Sequence, residues 1–127
     1  MAHGIARIGR DRFRTHIELG SHHLIADEPE VLGGAHAGPA PYDLLLASLG
    51  ACTAITLRMY ADRKGWPLES LEVDLQWRQE EDGPRVIRTL RVVGLDDAQR
   101  DRLAEIAERT PVTLTLLGGV SIDTYLS

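Results

Sequence analysis

The run LLLASLGACTAITL, from Leu44 to Leu57, carries no charge on any side. Pro41 and Asp43 precede it, Arg58, Arg63 and Lys64 follow, and Gly65, Trp66 and Pro67 come next. Those flanks predict one helix over residues 41 to 64. Proline suits a first turn, whose N–H groups lack helical partners, and the acid and bases complement the helix dipole. Glycine and proline then end it. A helix that is apolar all round must be covered all round. The charge-free stretch is shorter than the ~18 residues a bilayer span needs, so protein is the expected cover and no membrane partner is expected.

The remaining segments predict that cover. Residues 4 to 27 read as β-structure with tight turns: FRTHIEL (13–19) alternates, Gly20-Ser21 turns the chain, and HHLIAD (22–27) returns. Residues 28 to 41, rich in Gly and Pro, are a loop without a phosphate-binding pattern. LEVDLQW (71–77) and RVIRTLRVVGL (85–95) form a hairpin about EEDGP (80–84). Asp96 caps an amphipathic helix over 97 to 109, TPVTLTL (110–116) starts a further turn of helix, and VSIDTYL (120–126) alternates as a last strand. The expectation is a single α+β domain over residues 1 to 127, with antiparallel sheets around a central helix.

One short sheet and one amphipathic helix cover about one and a half faces of that central helix. A second copy of the chain is expected to cover the rest, giving a homodimer, and Ala47, Gly50, Ala51 and Ala54 permit close approach. Long loops are the alternative cover.

The net charge of −5 argues against nucleic acid as a partner. MAHGIARIGRDRF has no signal-peptide core, and a lone cysteine makes no internal disulfide, so a cytoplasmic location is expected. His3, His16, His22, His23 and His36 show no metal-ligand spacing; His22 and His23 fall on opposite faces of a strand. No metal or cofactor is expected.

Cys52, the only cysteine, admits two readings. Free cysteine usually packs as a small hydrophobe. As a reagent it would need a cationic or helix-terminal neighbour, and its own mid-helix position offers neither. Arg58 lies about 120° around the helix, and Asp43 lies ~13 Å back on the opposite face, from where it could serve only another subunit's site.

The segment GPAPYDLLLASLGACTAITLRMYADRKGWPLESLEV, with HHLIADEP upstream and GLDDAQRDRLAEIAERTPV downstream, resembles the OsmC/Ohr family, in its small OsmC-like branch. The resemblance implies an intertwined two-fold dimer with sites at the subunit interface. It implies that Cys52 attacks a hydroperoxide oxygen and becomes a sulfenic acid. The family's second, resolving cysteine falls on Thr110, which suits a helix N-cap before Pro111 but carries no sulfur. The family's glutamate falls on Tyr42, beside Asp43, and its arginine on Arg10 of Gly9-Arg10-Asp11, with Arg12 and Arg14 as alternatives. Three functions follow: a one-cysteine reductase of organic hydroperoxides that uses an external thiol, a non-catalytic protein that binds a small hydrophobic ligand or senses redox state, and a structural dimer with an inert Cys52.

Overall fold

The computed structural model describes residues 2–127 and divides into two compact units, residues 1–45 and 46–127. In the first unit, strands β1 (Gly4–Ile8), β2 (Thr15–Leu19) and β3 (His22–Ala26) form an antiparallel meander in the order β1-β2-β3. Ala6, Ile17 and Leu24 stand in one row across it. Gly20, at φ 62°, occupies the first position of the two-residue turn between β2 and β3, a place that glycine fills without strain.

The Gly/Pro-rich loop after β3 is tied to one buried carboxylate. Asp27 Oδ1 accepts from the Glu28 N–H at 2.8 Å, and Oδ2 accepts from Ala35 and Ala37 at 3.2 and 3.1 Å. Its own N–H donates to Pro39 O. The loop then folds so tightly that a Cβ on Gly38 would stand 1.9 Å from Ile25 O, so only glycine fits. Burial acts against the charged form of Asp27, but the Ala37, Glu28 and Ala35 N–H groups and the charge of Arg14 outweigh it and hold the carboxyl below its ordinary 3.8. A carboxyl lowered on folding stabilises the protein above its unfolded pKa, and that contribution disappears as pH falls through the folded value. Asp27→Asn should therefore lower the melting temperature by several degrees at neutral pH, with the gap to wild type closing in acid. A series of melts from about pH 7 to about pH 2 checks this.

Helix α1 (Pro41–Lys64) begins in the first unit and continues into the second. By length and composition it could cross a membrane, with mean hydropathy 1.5 in its most apolar window. The charge-free stretch alone understated that, although core helices of soluble proteins meet the same criterion. In the second unit α1 contributes a stripe at helical spacing, Leu49, Thr53, Leu57 and Ala61, that is buried by protein.

The same unit holds the hairpin β4 (Ser70–Glu80) and β5 (Gly83–Val93), then α2 (Asp97–Ala107) and α3 (Pro111–Gly118). Leu71 pairs with Val92 and Val73 with Leu90, so the alternation places one apolar face against the helices. Leu71, Leu90 and Val92 pack with Tyr60, Trp66, Leu95 and Ile106 around Leu57, Leu103 and Ala107, all three at most 2% exposed. The outer face is charged, and Arg91 bridges Glu72 and Asp74. Asp96 caps α2 as expected: its carboxylate accepts from Gln99 N at 2.8 Å, and Gln99 Oε1 accepts from Asp96 N at 3.0 Å.

The final expected strand is absent. Residues 120–126 pair with no strand among the described residues, and Ile122, Tyr125 and Leu126 are exposed. Alternation sets which side each residue would face, but a strand also needs a neighbouring edge to pair with.

Candidate functional site

Cys52 lies on the α1 turn that includes the fully buried Thr53, and is itself half-buried. It is therefore a residue at the margin of the core and not part of its centre. Its sulfur accepts the backbone N–H of Val112 at 3.5 Å. Thr56 Oγ1, one turn further along α1, is 4.0 Å away.

Val112 sits in the first turn of α3, after Thr110 as N-cap and Pro111 at the first helical position. N–H groups there have no carbonyl partner within the helix and form its positive end. Cys52 thus meets the helix terminus that its own position in α1 lacks, supplied from sixty residues away in sequence. Thr110 provides the extended backbone of an N-cap, but its hydroxyl does not cap the helix. It lies 2.6 Å from Thr113 Oγ1 and donates to Ala107 O at 3.4 Å, and the residue is 1% exposed. The expected capping bond is replaced by these two contacts inside the core.

Arg88 is the residue that reading the sequence missed. Its Nη1 donates to Thr53 Oγ1 at 3.0 Å and to Thr113 Oγ1 at 2.9 Å, and its Nη2 donates to Ala107 O at 2.9 Å. The Glu108 carboxylate is 3.9 Å away, and the Arg88 side chain is only 12% exposed. Thr53 Oγ1 in turn donates to Leu49 O at 2.7 Å. A signal was present: Val86, Arg88, Leu90 and Val92 share one side of β5, so one arginine stands in an inward-facing apolar row.

Arg58 is used elsewhere, on Asp62 and on Leu68 O. The other expected site residues belong to the first unit. Arg10 is exposed in the turn after β1. Arg12 takes φ 50°, and its Nη1 reaches Gly33 O at 3.5 Å, while Arg14 pairs with Asp11 at 3.7 Å. Tyr42 is exposed on the first turn of α1. Asp43 reaches back to accept the Ala40 N–H at 3.1 Å, so its carboxylate serves the start of the helix.

The family model for OsmC-like proteins matches residues 33–124. Three solved structures are similar in fold. An osmotic stress induced and detoxification response protein from Psychrobacter arcticus 273-4 is 21% identical with a TM-score of 0.77, over 91% of this chain and 88% of that one. The organic hydroperoxide resistance protein OsmC from Legionella pneumophila is 24% identical with a TM-score of 0.69, over 93% and 90%. An OsmC-like protein from Mycoplasma pneumoniae is 17% identical with a TM-score of 0.74, over 93% and 88%. No curated protein sequence matches the chain.

Proposed function

Because the chain belongs to the OsmC-like protein family, we propose that it is a thiol-dependent reductase of organic hydroperoxides working through one cysteine. The observation that carries this reading is the Val112 N–H donated to the half-buried Cys52 sulfur. Negative charge on that sulfur is met by the positive end of α3. The sulfur attacks the distal peroxide oxygen, the O–O bond breaks, an alcohol leaves, and Cys52 becomes a sulfenic acid. With Thr110 where the resolving cysteine would stand, a first external thiol displaces water to give a mixed disulfide. A second thiol releases the Cys52 thiol and leaves as the external disulfide. Arg10 and Tyr42 enter as counterparts of the family's arginine and glutamate. Reading residues 1–127 as one domain is part of the proposal; the family match takes in most of the second unit and only residues 33–45 of the first. A cytoplasmic location goes with this reading, since turnover needs a reducing thiol supply.

The test is consumption of cumene hydroperoxide with dithiothreitol as reductant. Many turnovers per chain are expected. Oxidation of Cys52 that stops after one event would support a redox sensor instead, and no oxidation would sink both.

A homodimer is part of the proposal. Along α1, Ile55 and Met59 are 55% and 53% exposed in the single chain, and apolar Ile122, Tyr125 and Leu126 lie open beyond α3. A second copy is the cover that best accounts for so much open apolar surface. Light scattering should give twice the 14.0 kDa of the chain. A monomer at micromolar concentration would contradict this.

A further inference from the structure

The contact between Val112 and Cys52 joins two helices remote in sequence, so something must hold α3 in register against α1. Arg88 touches the residue beside each partner: Thr53, next to Cys52, and Thr113, next to Val112. Its other terminal nitrogen binds Ala107 O at the end of α2, which fixes where the short link into α3 begins. Thr110 and Thr113, joined at 2.6 Å, close the cluster from the α3 side. One planar guanidinium therefore ties three helices around the sulfur's hydrogen-bond donor. A lysine ammonium would be a single point and could not span these acceptors in the same plane.

We infer that Arg88 is a positioning residue for Cys52, aligning the first turn of α3 so that the Val112 N–H meets the sulfur. The inference rests on the reading of Cys52 as the nucleophile. It also accounts for an arginine kept in an apolar row, where burying a charge has a cost unless its hydrogen bonds are satisfied.

The experiment compares wild type with Arg88→Ala, Arg88→Lys and Thr113→Val. It measures the rate at which Cys52 is oxidised by cumene hydroperoxide and the hydrogen exchange of the Val112 amide. Loss of alignment should slow oxidation ~10–100-fold in Arg88→Ala, with Val112 exchanging faster. Lysine should restore little, whereas millimolar guanidinium added to Arg88→Ala should recover part of the rate. Thr113→Val keeps the arginine and should show a smaller loss of the same kind, which preserves the test if Arg88→Ala does not fold. Wild-type exchange at Val112 together with a wild-type rate in the folded variants would overturn the inference. So would a slowed rate that guanidinium leaves unchanged and that accompanies general loss of amide protection. If wild type itself resists the peroxide, the proposed function fails, and Val112 exchange alone then decides whether Arg88 sets the contact.

Discussion

Serine in place of Cys52 should abolish hydroperoxide turnover, leaving only the background reaction of the reductant. The hydroxyl is close to the thiol in size, and the position is half-buried, so the variant should fold and melt near the wild-type temperature. What it loses is chemical. A serine oxygen does not take up the peroxide oxygen to give a species that thiols reduce, so no cycle is available. The chain has no other cysteine to take over. Residual turnover in Cys52→Ser would therefore place the chemistry elsewhere. Equal melting temperatures would show that the loss is not a loss of fold.

Truncation of Leu103 to alanine should give the largest loss of stability. Leu103 is fully buried, packed with Leu57 and Ala107 and enclosed by side chains from α1, α2 and the β4–β5 hairpin. Removing it forfeits the transfer of its methyl and methylene groups from water and leaves a cavity that these elements cannot fully close. The cost should be about 3–4 kcal/mol, a large share of the ~5–15 kcal/mol that holds a domain together. Urea denaturation of wild type and Leu103→Ala should show the midpoint falling with little change in slope. A loss below ~1 kcal/mol would mean that this cluster is not the core of its unit.

Much of the fold was legible where local chemistry decides it. Pro41, Asp43 and Gly65 mark the ends of α1, Asp96 and Gln99 build the cap of α2, and alternation in Leu71–Trp77 assigns one face of the hairpin. Residues 120–126 misled because alternation records a preference for two-sided surroundings without saying which edge supplies them. The site was less legible for the same reason. Cys52 stood out as the lone thiol, yet its surroundings looked inert when only neighbours along α1 were considered. Val112 and Arg88 enter through tertiary packing. Of the two, only Arg88 left a trace in the sequence, as a charge in the inward row of β5. The peptide N–H of Val112 leaves none, since every residue but proline carries one.

The most direct test of the central claim is the intact mass of the native protein after one equivalent of cumene hydroperoxide, followed by peptide mapping. The account predicts a chain heavier by one oxygen, placed on Cys52, formed rapidly and reversed by dithiothreitol. A chain that keeps its reduced mass and takes up oxygen on Cys52 only after unfolding would show that the thiol is packing and not a reagent.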